Sequence, residues 1–343
     1  MADLSRHHLA FGTATAWPVA VTIPARNEAE RITACLDAAA ASLRGRGGIV
    51  VVVNGSHDDT FTRTVDWFRS SGASGIVVDD RSPPADSGVG RARRIAVNAC
   101  RSRLSQRAAV MVSDADSRVA RDWVDANLSE LGRADLVCGT VLPDPEEAAI
   151  LPAEIANSGS LEGEYMALTI AARCLLDPVP WDPEPTHLNA AGASLALRLS
   201  HYEALGGFAD LRCGEDRALA DLAERCGFRV RHSARVQVTT TCRLDGRAPG
   251  GMADALSSRI KDANPLVDEL LEPAAQTILR NRLRGDLRQR MAHRDFTRTW
   301  ATVEAGRADL RRTRMRLSDL RRELPLLATA LGAQPPLPER QIA

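Results

Sequence analysis

Four short apolar runs, VAVTI (19–23), IVVVVN (49–54), GIVVDD (75–80) and AAVMVS (108–113), alternate with three segments of helical character. This alternation restricts the fold more than any other feature of the chain. The runs are β-branched almost throughout and lack the polar alternation of a half-exposed strand, so they read as strands covered on both faces. Between them lie EAERITACLDAAAASLR (28–44), with Ile32, Leu36 and Leu43 on one stripe, DDTFTRTVDWFRSSG (58–72), which opens on acids and closes on Gly72, and VGRARRIAVNACRSRL (89–104). Regular strand–helix–strand succession implies an α/β fold with a mostly parallel sheet and right-handed crossovers. In such sheets ligands sit at the carboxyl ends of the strands. The segment Pro24-Ala25-Arg26-Asn27-Glu28, then Asn54-Gly55, Asp79-Asp80 and Asp114-Ala115-Asp116 all fall at those ends.

Other features narrow the class. At 343 residues, 44% of them hydrophobic, the chain can build one large domain with an appendage, or two domains. Its longest aliphatic run, 49–53, is far below the ~20 residues of a membrane span, and its first residues lack an apolar signal-peptide core, so a cytoplasmic location is expected. Seven cysteines, scattered and without a CxxC pair, fit reduced thiols and suggest no zinc site. The 44 basic side chains balance the 44 acids, which removes the electrostatic argument for a nucleic-acid partner.

The paired acids after the fourth run are the first chemical signal. Two carboxylates one residue apart on a turn leaving a strand can present oxygens to a hard cation, Mg²⁺ or Mn²⁺, whose other ligands are phosphates and water. The alternative is that Asp116 or Ser117 caps the helix that follows. A second signal is GGFADLRCGEDRALADLAERCGF (206–228), in which Gly206 and Gly207 allow a tight turn, Phe208 anchors it, and Glu215-Asp216 open a helix.

Taken together and in order, IPARNEAERI (23–32), VVVNGSHDDT (51–60), GVGRARRIAVNA (88–99), SDADSRV (113–119) and NAAGASLALRLSHYEALGGFADLRCGEDRALADLAERCGFRVRH (189–232) resemble the family-2 glycosyltransferases of the GT-A fold, over roughly 19–243. The resemblance implies a Rossmann-like mixed sheet flanked by helices and an enzyme that moves a sugar from a nucleotide-diphosphate donor to a hydroxyl acceptor. It implies that Pro24, Arg26 and Glu28 line the nucleotide pocket and that Asn54 stands where many relatives carry a base-reading acid. Arg93 would hold phosphate oxygens bidentately, and Asp114 and Asp116 would hold the donor and its cation. An acid at 215–216 would be the general base of inverting transfer, with Asp216 favoured and Glu215 its neighbour. His232, at the end of FRVRHS, is a third candidate metal ligand against a purely structural reading. Arg243, in TTTCRLDGRAPGG (239–251), would reach the diphosphate if that loop folds over the donor. The chain reads EDRAL where many relatives read EDxDL, so no role is carried over for a second acid.

Beyond these motifs the expectations are coarser. Residues 1–16 read as a tail, 17–250 as the catalytic domain (17–120 nucleotide half, 121–250 acceptor half) and 251–343 as a helical extension. The proline-rich LDPVPWDPEPTH (176–187) reads as a loop, with Trp181 either stacking on a sugar or anchoring the loop. Residues 280–322 hold 14 arginines and five acids, and Phe296, Val303, Leu310, Leu317 and Leu324 recur every seven residues. Such a stripe packs on its own protein, pairs with a second subunit, or lies on the inner face of an anionic membrane. The acceptor, whether glycan, lipid-linked or small molecule, is not written in the sequence. Alternatives are a retaining enzyme resembling glucosyl-3-phosphoglycerate synthase, a nucleotidyltransferase, and a non-catalytic nucleotide-binding protein.

Overall fold

The computed structural model describes residues 6–82, 88–246 and 251–332. Met1–Ser5 of the expected tail and residues 247–250 of the expected loop lie outside these. The strands are β1 (Arg6–Phe11), β2 (Trp17–Ala25), β3 (Gly47–Asn54), β4 (Gly75–Asp80), β5 (Leu104–Val112), β6 (Ser117–Val119), β7 (Leu136–Pro143), β8 (Leu195–Arg198) and β9 (Val230–Thr240). They form one mixed sheet in the order β1-β4-β3-β2-β5-β8-β7-β9-β6. The central β4-β3-β2-β5 ladder is parallel, as the crossovers require, and β8 inserts antiparallel between β5 and β7.

Alternate side chains of the central strands face opposite layers. Val19, Val21 and Ile23 pack under α1 (Ile32–Leu43), α2 (Thr60–Ser71) and α4 (Trp123–Glu130), whereas Ala20, Val50 and Val52 face α3 (Val89–Cys100). Every residue of β3 is buried, which is why its sequence shows no alternation. The sheet and its helices, including α5 (Pro145–Ala149), form one compact unit, residues 1–149 and 185–254.

Two boundaries differ from expectation. Residues 6–11, read as tail, form β1, antiparallel to β4. Its RHHLAF sequence carries no burial signal because the strand lies at the sheet edge, held by backbone pairing, by Arg6 to Asp80 and by Phe11 stacked on Phe68 at 5.0 Å. The helical unit is also discontinuous, comprising residues 150–184 and 255–343. Its α6 (Ala153–Leu176) comes from the middle of the chain and contributes Tyr165 to a core shared with Val267, Leu271, Leu320 and Leu327. After α7 (Leu199–Ala204) and α8 (Glu215–Arg225) of the first unit, the remaining helices are α9 (Met252–Lys261), α10 (Ala274–Arg290), α11 (His293–Gly306) and α12 (Leu317–Ala330).

The seven-residue stripe does not run along one helix. Phe296 and Trp300 of α11 pack with Leu310, which sits in a 3-10 turn, while Leu317 and Leu324 of α12 join the Tyr165 cluster. Those apolar residues are therefore internal to this unit. Trp181 is an anchor here, its ring centroid 4.3 Å from His293 and 5.8 Å from the Arg288 guanidinium, while Arg288 also pairs with the buried Asp177. No described helix is long and apolar enough to cross a membrane.

Candidate active site

The loops after β2 and β3 brace each other. Asn27 takes a left-handed backbone (φ 52°), its N–H donates to Ser56 Oγ at 3.0 Å, and its side-chain oxygen accepts from His57 N at 2.8 Å. Glu28 N donates to Thr60 Oγ1 at 2.8 Å, and Ala29 N to Asp58 at 3.1 Å. The sequence NGSHDDT thus supplies the side-chain acceptors that satisfy the backbone of RNEA as it turns toward α1. Pro24 and Asn54 lie at adjacent strand ends, Pro24 opposite Val52 and Asn54 opposite Asp80, with Arg26 half-buried beside them.

Asp114 and Asp116 leave β5 as expected, and Arg243 reaches them from the segment after β9. Its guanidinium donates to Glu28 Oε2 at 2.9 Å and pairs with Asp116 Oδ2 at 2.9 Å. The Asp116 carboxyl is pushed up to about 6, first by burial and then by the charge of Asp114. Arg243 pulls the other way and Glu28 adds to the rise. Beneath the pair, Cys35 Sγ donates to Asp114 O at 3.2 Å; burial, with Asp116 and Asp114 nearby, pushes the thiol up, so it stays protonated.

Arg93 is placed differently from expectation. It is 3% exposed; its Nε donates to Glu215 Oε1 at 2.8 Å and its Nη2 to Asp114 Oδ1 at 2.7 Å. A bidentate grip on phosphate would require breaking the buried pair with Glu215 and the part-buried pair with Asp114, so Arg93 is corrected from phosphate clamp to internal bridge. Glu215, also 3% exposed, is raised by burial against the lowering pull of Arg93. Asp216, the next residue, is half-buried and accepts from Gly192 N at 2.6 Å and Arg217 N at 2.8 Å.

His232 is not brought to the acid pair. From β9 it pairs with Cys138 on β7; Cys138 pairs with Leu195 on β8, and Leu195 with Val112 at the end of β5. Three ladder steps of ~4.8 Å put it roughly 14 Å away, too far to share one cation. Its ring packs against His187 at 5.5 Å. The end of β9 that does approach the acids carries Thr240, opposite Ser117 and bonded to its hydroxyl at 2.9 Å. A cavity of about 300 Å³ borders Asp116 there, lined in part by Arg31, Glu147 and Thr241. Glu147 and Gly192 were not singled out from sequence. Glu147 has no motif around it, whereas the small residues of NAAGAS were the available signal for Gly192.

Five carboxylates, Glu28, Asp114, Asp116, Glu215 and Asp216, thus share this region with two guanidinium groups, Arg93 and Arg243. Among the described residues no three His, Cys, Asp or Glu side chains converge to hold a metal by themselves. The set fits a divalent cation that brings its remaining ligands with it, because a diphosphate arriving alone would meet net negative charge.

Residues 20–156 match the model of glycosyl transferase family 2. That stretch of the chain is similar to the family-2 glycosyltransferases. The matched stretch holds the β2 and β3 loops, Arg93 and both acids of the Asp114-Ala115-Asp116 turn. Among curated proteins no sequence relative matches. Among solved structures, the mannosyltransferase PcManGT from Pyrobaculum calidifontis, in complex with GDP-Man and Mn²⁺, is similar over 92% of this chain and 80% of that one, at 19% identity and a TM-score of 0.50. S. aureus TarS 1-349 is similar over 84% of this chain and 92% of that one, at 14% identity and a TM-score of 0.46. M. tuberculosis glucosyl-3-phosphoglycerate synthase is similar over 71% and 78%, at 21% identity and a TM-score of 0.40. The fold is that of the GT-A glycosyltransferases, with the mixed sheet flanked by helices.

Proposed function

We propose that this protein is a glycosyltransferase, cation-dependent and inverting, that it takes a nucleotide-diphosphate sugar as donor, and that Asp216 is its general base. The observation that carries the reading is the contrast between the two adjacent acids at the start of α8. Glu215 is buried and tied to Arg93, whereas Asp216 keeps a half-buried carboxylate on the same network as Asp114. A carboxylate at a helix N-terminus is favoured in its ionised form and can accept a proton.

In this reading the nucleotide lies across the ends of β2 and β3, against Pro24, Arg26, Glu28 and Asn54. Asp114 and Asp116 would hold Mg²⁺ or Mn²⁺, which when bound supplies positive charge for the departing diphosphate. Arg243, already at Asp116, is the cation that can turn toward phosphate oxygens. Asp216 takes the proton of the acceptor hydroxyl as its oxygen bonds to the anomeric carbon. The bond from that carbon to the diphosphate breaks, and the electron pair leaves with the nucleoside diphosphate.

The test begins with stabilisation by GDP-mannose, UDP-glucose and UDP-N-acetylglucosamine with Mn²⁺ present, since a bound donor raises the melting temperature by linkage. With the donor so selected, Asp216→Asn is expected to retain donor binding and to slow transfer by ~10² to 10⁴. The product of the wild type is expected to have the anomeric configuration opposite to the donor's, read from an NMR coupling constant. Retained configuration would demote Glu215 and Asp216 to substrate positioning and favour a retaining mechanism.

A further inference from the structure

We infer that Arg93 and Gly192 form a positioning pair that sets Asp216 relative to Asp114, so that the acceptor-side base is held by the donor-side acid through one buried guanidinium; this rests on the reading of Asp216 as base. Arg93 comes from the inner face of α3, among the buried Ala92, Ala96 and Val97. Its guanidinium reaches the end of β5 through Asp114 and the first turn of α8 through Glu215, with the Phe208 ring centroid 5.8 Å from its central carbon. Two elements far apart in sequence are thereby locked to one planar, rigid group, which a lysine ammonium cannot reproduce.

Gly192 completes the arrangement from the opposite side. Its backbone lies directly on the guanidinium: a Cβ at this position would fall 2.1 Å from Arg93 Nη2 and 2.8 Å from its central carbon. The same residue's N–H donates to Asp216 Oδ2 at 2.6 Å. Position 192 therefore has two duties, close approach to Arg93 and orientation of Asp216, and only a residue without a side chain performs both here. The two acids of α8 are divided accordingly: Arg93 holds Glu215, Gly192 holds Asp216, and the Arg93 guanidinium on which Gly192 rests is bonded to Asp114.

The test uses the full chain with Mn²⁺ and the donor selected from GDP-mannose, UDP-glucose and UDP-N-acetylglucosamine. Gly192→Ala changes no charge but displaces the guanidinium; Arg93→Lys keeps the charge but loses the planar fork. Both are expected to lower kcat by ~10-fold to ~10²-fold, because small misplacements of a reacting group are costly, while the donor KM and the donor affinity by titration stay within about threefold of wild type. A rise in donor KM with unchanged kcat would overturn the inference and make Arg93 a donor ligand. An insoluble Arg93→Lys beside a Gly192→Ala of wild-type kcat would overturn it too, leaving Arg93 a purely structural residue. If Asp216→Asn itself turns over normally, the reading of Asp216 fails; if Asp216→Asn is slow and both positioning variants are normal, the inference fails and that reading stands.

Discussion

Arg243 bridges Glu28 and Asp116, and deleting its charge tests how the donor-free site manages its carboxylates. Asp116 has its carboxyl pushed from 3.8 up to about 6 by burial first and by Asp114 next, with Arg243 opposing. An acid whose folded pKa lies above its unfolded value binds more protons when folded between the two, so stability falls as pH rises through that interval. For the wild type that interval is roughly pH 4 to 6, and the cost above it is about 3 kcal/mol. Arg243→Gln keeps a polar side chain with an N–H donor but removes the charge, so the interval extends upward. Loss of an opposite charge at this distance moves a carboxyl by about 1 to 3 units. Relative to wild type the variant should then lose ~1.4 kcal/mol per pH unit above pH 6 until its own pKa is passed, reaching about 1.4 to 4 kcal/mol beyond the difference seen near pH 5. Urea denaturation from roughly pH 5 to roughly pH 8 measures this through the midpoint. Mn²⁺ at about 100 times its Kd should return ~2.7 kcal/mol to the variant, supplying the missing charge. A wild-type-to-variant difference that stays constant with pH would refute Arg243 as the counter-charge of Asp116.

Three further outcomes are expected. Asp116→Asn should abolish Mn²⁺ binding measured by electron paramagnetic resonance while raising the urea midpoint of the donor-free protein above pH 6, because it removes a carboxylate that burial disfavours. Asp135 is driven up by burial, but its bonds from Arg229, at 2.8, 3.0 and 3.1 Å, hold its carboxyl below the usual range. That stability is present above the unfolded pKa and lost as pH falls through the folded one, so Asp135→Asn should cost about 1 kcal/mol near neutrality and make the acid limb of stability shallower below pH ~4. Removing residues 251–343 should leave α6 without α10 and α12, exposing Tyr165 and its apolar neighbours; aggregation by light scattering is expected, and a soluble, folded product would contradict the assignment of α6 to that unit.

Local pattern was enough for the central strands, for α1 to α3, and for the placement of Pro24, Asn54, Asp114 and Asp116 at strand ends, because periodicity and parallel crossover geometry are properties of neighbouring residues. Partner choice was not local. Arg93 meets Glu215 across 122 positions and Arg243 meets Glu28 across 215, and only the strand order brings these pairs together. His232 illustrates the same limit from the other side: its motif position suggested a ligand, and the register of β9 on β7 put it three strands from the acids. The edge strand β1 and the recruitment of α6 into the helical unit were hidden for a related reason. An edge strand is held by backbone pairing rather than by apolar side chains, and a helix joins whichever core its buried face completes. The chain alone determined which side chains stand at the mouth of the sheet; tertiary structure determined which of them neutralise one another, because ion pairs form by proximity in space and charge balance over a whole site.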